Sequence, residues 1–205
     1  MSEPASTTAA AVSRLHVPSS EELTDRTRRL FEATERTGGF VPNWLRAFAL
    51  GGADNDRLNA YLFPLLEGSD GRRSTLTTRE REIIATVVSV ENRCPYCHTL
   101  HIDGLARHLG DHHLATRIGL DHREVDELTE REHALAELAT TITRAPREVT
   151  REHLDHLRDL GLDDAGIYEA IQIASVINAT NRISIALAVL PDPETFDAQN
   201  TALNS

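Results

Sequence analysis

The segment from Glu91 to His101, ENRCPYCHTLH, holds both cysteines of the chain, and its spacing fits three chemistries. Read as CPYCH it is a haem-attachment pattern with His98 as axial ligand. Two Cys with His98 and His101 are material for a zinc site. Cys94 and Cys97 with a histidine one helical turn on, at His101, are a dithiol redox centre. Haem would need an exported chain and a second axial ligand, and the sole methionine is Met1. Zinc would need a second ligand pair. The chain has no second C-x-x-C, and His108 and His112 lie too close to Cys97 for finger spacing.

Helical geometry sharpens the dithiol reading. Pro95 suits the first turn of a helix, which puts Cys94 at the N-cap or first position and Cys97 within the first turn. Free backbone N–H groups and the positive end of the helix dipole stabilise a thiolate there. Cys97 and His101 are four apart on one face, so His101 is placed to take the proton of Cys97 rather than of Cys94. Cys97 is then the better attacking thiol, and Cys94 is close enough to condense with its sulfenic acid into a disulfide.

The rest of the chain narrows the field. It has 205 residues, a net charge of −11 and no lysine, all 21 basic residues being arginine. So acidic a surface disfavours nucleic acid, and the absence of lysine excludes a Schiff-base or P-loop lysine. No apolar run approaches the eighteen or so residues that span a bilayer, and the N-terminus lacks the basic and apolar regions of a signal peptide. The expectation is a cytoplasmic protein without membrane or nucleic-acid partners.

The elements that must position the cysteines read as helices throughout, so the expected fold class is all-α. Residues 1–18 are expected to be a flexible arm, 19–191 one helical domain and 192–205 a C-terminal tail. Helices are expected from Ser19 to Gly38, from Pro42 through NWLRAFAL, and from Asp54 to Leu66 with a break or bend at Pro64. GSDGRRS reads as a loop. Thr77-x-x-Glu80 and Thr129-x-x-Glu132 are capping boxes that open two further helices, the first apolar nearly all round. Another helix carries Cys94 to His108. Thr150 opens HLDHLRDL, and Asp163 or Asp164 caps a final pair of segments around Asn178 to Arg182. His108, His112, His113, His122, His133, His153 and His156 read as solvated or loop residues. One internal echo stands out: Leu76–Asn92 resembles Leu162–Asn178 at a constant offset, a candidate pseudo-repeat.

An acid to hold His101 is found upstream. Glu82, Cys94, Cys97 and His101 form the pattern Glu-x11-Cys-x2-Cys-x3-His. This resembles the signature of the alkylhydroperoxidase D (AhpD)-like branch of the carboxymuconolactone decarboxylase superfamily. LTTREREIIATVVSVENRCPYCHTLH is similar to that domain throughout. GFVPNWLRAFAL, ITRAPREVT and NATNRISIALAV are similar to its longer, peroxidase-related subgroup, so the resemblance spans about Phe40 to Val189. It implies an AhpD-like helical domain and a homo-oligomer, a trimer or hexamer. It also implies a peroxidase in which Cys97 attacks a small peroxide, Cys94 resolves, His101 takes the proton and Glu82 relays it through water. An external dithiol, lipoyl-type or thioredoxin-like, would reduce the pair, with no cofactor and no metal required. Helical spacing alone also admits Glu91 as the acid. Tyr96 stands where the founding peroxidases carry a histidine.

Two other functions fit the residues. One is a cofactor-free decarboxylase or isomerase of the carboxymuconolactone type, or a biosynthetic tailoring enzyme, needing no cysteine pair. The other is a redox-sensing or zinc-binding protein without turnover.

Overall fold

A computed structural model describes residues 11–68 and 75–196. Among them are nine α-helices and no strand: α1 (Asp25–Gly38), α2 (Asn43–Phe48), α3 (Ala53–Glu67), α4 (Thr78–Glu91), α5 (Pro95–Leu109), α6 (His112–Asp121), α7 (Glu130–Arg144), α8 (Arg151–Asp159) and α9 (Asp164–Leu187). Most of the expected GSDGRRS loop lies outside the described residues.

The core is built round α4. Its Ile83, Ile84, Val87 and Val88 are buried against Leu105, Ile118, Leu135, Ile173 and Ile177. A helix apolar on all sides needs neighbours on all sides, and α4 packs on α5, α7 and α9. Both capping boxes form as the sequence predicts. The Thr77 and Thr129 hydroxyls accept the N–H groups of Glu80 and Glu132, whose carboxylates accept the Thr77 and Thr129 N–H groups at 2.7 and 2.8 Å. The two boxes are also cross-linked. Arg131 Nε donates to Glu80 at 2.6 Å, and an Arg79 amino group donates to Glu132 at 3.1 Å. Each cap is worth about 1 kcal/mol, and the crossed arginines fix the relative height of α4 and α7. Arg81 is fully buried, donating to Glu169 at 2.8 Å and to the Leu65 carbonyl at 2.6 Å.

Several elements depart from expectation. Ser19–Glu22 closes as a turn, with Ser19 N–H on the Glu22 carboxylate at 2.8 Å, and α1 begins only after Thr24, whose hydroxyl caps the Thr27 N–H. Helix α3 runs through Pro64, which sits in its last turn and leaves a single carbonyl without its helical donor. Helix α6 is an unforeseen element, capped by Asp111 on the Leu114 N–H at 2.9 Å. His122 is buried rather than solvated, 3.1 Å from Glu137. The expected pair of segments at the C-terminal end is one uninterrupted helix, α9.

The described ends of the chain are tied to the body. Arg14 N–H donates to the Leu187 carbonyl and Leu190 N–H to the Val12 carbonyl, at 2.8 and 3.1 Å. Asp192, at the start of the expected tail, is buried and accepts the Asn43 N–H at 2.7 Å. No described helix is long and apolar enough to cross a membrane.

Candidate active site

Helix α4 ends at Asn92, and Arg93 turns the chain with a left-handed φ of 53°. This turn lets Cys94 serve as N-cap of α5 with Pro95 at the first helical position. The Cys94 sulfur accepts the Cys97 N–H at 3.4 Å and lies 2.9 Å from the Cys97 sulfur, to which it is not bonded. Both sulfurs are buried, Cys94 completely.

One turn along α5, His101 Nδ1 lies 3.1 Å from Glu82 Oε2 of α4. A carboxylate partner selects the Nδ1–H tautomer and leaves Nε2 as the basic nitrogen. The contact depends on Gly104. A Cβ there would meet Glu82 Oε2 at 3.1 Å and its carboxyl carbon at 3.2 Å, so the missing side chain is what lets the carboxylate lie against α5. Glu91 is held elsewhere, by the Arg144 guanidinium at 2.8 Å.

Glu82, Cys97 and His101 line one cavity of about 260 Å³, and Cys94 lies behind its wall. The far wall is aromatic: Trp44 meets Phe48 edge-on at 5.6 Å and tilts on Phe63 at 5.9 Å. Tyr96 closes one end. Its hydroxyl donates to Asp192 at 2.5 Å, and burial pushes both the Tyr96 phenol and the Asp192 carboxyl up from their usual ranges.

The two thiols of the pair are shifted in opposite directions. Cys94 is the more acidic sulfur, brought down to about 7 chiefly by the hydrogen bond that Cys97 donates to it. The Cys97 and Tyr96 N–H groups and a positive His101 add to this, while burial opposes it. The Cys97 thiol is pushed up by donating to that anion and by burial. Helical spacing put His101 beside Cys97 but could not show that the N-cap donors gather on Cys94. The pair therefore shares one proton and titrates as a unit. Of the two sulfurs, Cys97 is the one that faces the cavity.

The sequence reading missed the residues that close the site from α9. Thr180 and Ser184 line the cavity, and buried Asn181 donates to Ser89 Oγ at 3.3 Å beside it. Thr180, Asn181 and Ser184 belong to the polar cluster that reads in sequence as a break in this helix. Among the described residues no three His, Cys, Asp or Glu side chains are grouped to hold a metal ion.

Comparison with known proteins places this arrangement. The model of the carboxymuconolactone decarboxylase family matches residues 56–112. The chain is 31% identical to the protein YdfG of Bacillus subtilis (strain 168) over 118 residues, 57% of this chain and 78% of that protein. A peroxidase-related protein of Silicibacter sp. TM1040 superposes with a TM-score of 0.83 at 30% identity, covering 93% of this chain and 97% of that one. An AhpD-core, peroxidase-related protein of Ralstonia eutropha JMP134 gives a TM-score of 0.84 at 26% identity, covering 92% and 96%. With near-complete coverage of a relative at this identity, the chain belongs to the carboxymuconolactone decarboxylase superfamily, in its AhpD-like, peroxidase-related subgroup.

Proposed function

We propose that this protein is a dithiol peroxidase that reduces an organic hydroperoxide at Cys97. The observation that carries the reading is the pair of sulfurs 2.9 Å apart, one of them on the wall of a cavity shared with the His101–Glu82 pair. Family membership supports the coarser statement, an enzyme of the AhpD or carboxymuconolactone decarboxylase type.

One thiol proton passes to His101 Nε2 and the other comes to rest on Cys94, leaving Cys97 as the thiolate facing the peroxide. The Cys97 sulfur attacks the terminal peroxide oxygen, an S–O bond forms and the O–O bond breaks. The leaving alkoxide takes a proton from His101, which Glu82 stabilises as imidazolium, and departs as the alcohol. Cys94 then loses its proton to His101 and attacks the Cys97 sulfenic acid. The S–S bond forms as the S–O bond breaks, and the departing hydroxide takes the proton back from His101 and leaves as water. Two electrons pass from the thiols to the peroxide, and an external dithiol, lipoyl-type or thioredoxin-like, restores them.

The aromatic wall of Trp44, Phe48 and Phe63 favours a peroxide with an apolar body over hydrogen peroxide itself. Self-association into a trimer or hexamer belongs to the same proposal. The exposed side chains of Leu15, Leu50 and Ile183 line one groove, and apolar exposure of this kind favours a partner surface.

Stopped-flow mixing of the pre-reduced protein with cumene hydroperoxide tests the reading. The expected result is one peroxide consumed per two thiols lost, abolished by Cys97→Ser. Thiols that survive excess hydroperoxide would overturn it. Cysteine-independent lyase activity of the carboxymuconolactone type would instead persist in a Cys94→Ser, Cys97→Ser double variant.

A further inference from the structure

We propose that Asp192 is a positioning residue that holds the aromatic wall of the cavity against the thiol turn, through Asn43 on one side and Tyr96 on the other, and so sets the preference for a bulky organic hydroperoxide. This rests on the peroxidase reading for its consequence, but not for its geometry.

Three separate pieces of chain meet here. Ala47 and Phe48 of α2, Cys94, Tyr96 and Cys97 of the thiol turn, and Val189 of the C-terminal segment form a small apolar cluster beside the main core, with Trp44 and Leu187 packed against it. Apolar packing is non-directional, so it does not by itself fix how these pieces sit on one another. Asp192 supplies direction. Its carboxylate is buried, which is unfavourable unless the oxygens are hydrogen-bonded. Both are: Oδ1 accepts the Asn43 N–H at 2.7 Å and Oδ2 accepts the Tyr96 hydroxyl at 2.5 Å. Asn43 is the first residue of α2, and Pro42 before it makes no side-chain cap. The Asn43 side chain also donates to the Leu190 carbonyl at 3.0 Å, so the C-terminal segment grips the start of α2 twice. The Leu190 N–H in turn reaches the Val12 carbonyl at 3.1 Å, which ties the segment from behind.

The two donors on Asp192 sit next in sequence to the parts that must face one another. Trp44 follows Asn43, and Cys97 follows Tyr96; both line the cavity, as do Phe48 and Tyr96 itself. One carboxylate therefore sets the distance from the aromatic wall to the cavity-facing sulfur. Once the tie is cut, α2 is free to shift against the thiol turn. A bulky hydroperoxide held by the wall then loses its alignment with Cys97, whereas hydrogen peroxide touches little of the wall and loses less.

The test cuts the tie from either end. Tyr96→Phe keeps the ring and removes the hydroxyl, and Asp192→Ala removes the carboxylate. Asp192→Asn keeps an oxygen for the Asn43 N–H and can turn its own N–H to the Tyr96 oxygen. Rate constants for thiol oxidation by cumene hydroperoxide and by hydrogen peroxide are measured by stopped flow and taken as a ratio. The ratio is expected to fall roughly five- to ten-fold in Tyr96→Phe and Asp192→Ala and to be restored in Asp192→Asn. A general loss of stability would lower both rates and leave the ratio unmoved. Trp44 is the only tryptophan of the chain, so acrylamide quenching of its fluorescence reports the wall directly; quenching is expected to rise in the first two variants and not in the third. If Asp192→Ala does not fold, Tyr96→Phe, which removes one oxygen atom, carries the test. An unchanged ratio in the folded Tyr96→Phe protein would overturn the assignment and leave Asp192 a packing role. Quenching needs no peroxide, so failure of the peroxidase reading shows separately, as thiols that survive hydroperoxide while the quenching still responds.

Discussion

Two stretches of similar sequence, Leu76–Asn92 and Leu162–Asn178, end in different ways. The first, α4, stops at Asn92; the left-handed Arg93 turns the chain and a new helix begins with the cysteines. The second is the opening half of α9 and runs on through Ala179, Thr180, Asn181 and Arg182 without a break. The matching asparagines, Asn92 and Asn178, meet side by side at 2.9 Å. Breaking a buried helix exposes unpaired N–H groups at the start of the next one, and these favour a thiolate at Cys94. Continuing it carries Thr180 and Ser184 to the wall of the cavity that Cys97 faces. One segment leads into the helix that carries the thiols, and the other lines the cavity beside them.

Substitutions can break or sharpen that contrast. The largest effect among the supporting residues is expected at Glu82, which orients His101. Glu82→Gln should lower the rate of thiol oxidation by cumene hydroperoxide roughly 10- to 100-fold without moving the melting temperature appreciably. Next comes Gly104→Ala. A Cβ there crowds the Glu82 carboxylate, so a several-fold loss of rate is expected, while helix propensity favours Ala by up to about 1 kcal/mol. Loss of rate with stability kept or gained, read by stopped flow and urea denaturation, would separate positioning from folding. At the turn itself, Arg93→Gly relieves a left-handed backbone and should stabilise the fold by up to about 1 kcal/mol, leaving the rate unchanged. The smallest effect is expected for Glu91→Gln. Glu91 is bound to Arg144, away from the thiols, and less than a two-fold change in rate should follow.

The pH behaviour sharpens the contrast further. Absorbance of thiolate at 240 nm should rise by one thiolate as pH increases through about 7, where Cys94 loses its proton. No second step should appear through the mildly alkaline range, because the Cys97 thiol is pushed up. Two superimposed steps near 9 would mean that neither the helix cap nor the hydrogen bond between the sulfurs acts as described.

Much of this was legible in the sequence where the determinants are local. The capping boxes at Thr77 and Thr129 and the Cys94–Pro95 helix start rest on side chains acting within one turn, and all three form as read. Helix α6 was missed because His112, His113 and Thr116 hide a short apolar face of Ala115, Ile118 and Gly119. Helix α9 was divided at Asn178–Arg182 because a polar cluster reads as a break. Its asparagines, Asn178 and Asn181, instead both accept from Asn92 at the end of α4, a long-range arrangement that no spacing within one helix reveals. The same holds for Glu82. Its approach to His101 crosses from one helix to another over a glycine, whereas Glu91, equally plausible by spacing, is taken by an arginine 53 residues away. The opposite shifts of the two thiols were not legible for a related reason. A histidine four residues on is visible in sequence, while the convergence of donors on an N-cap depends on the turn at Arg93.

On the proposed mechanism the sulfur that meets the peroxide is Cys97, on the cavity wall, and not Cys94 at the helix cap. Trapping the first oxidation product tests it most directly. Pre-reduced Cys94→Ser and Cys97→Ser proteins are each given one equivalent of cumene hydroperoxide in the presence of dimedone, and the adduct is located by peptide mass spectrometry. A rapid sulfenic-acid adduct on Cys97 in the Cys94→Ser protein, with Cys94 of the other variant left unlabelled, is the predicted result. Rapid labelling of Cys94 with Cys97 untouched would contradict the account and make the helix-cap sulfur the nucleophile.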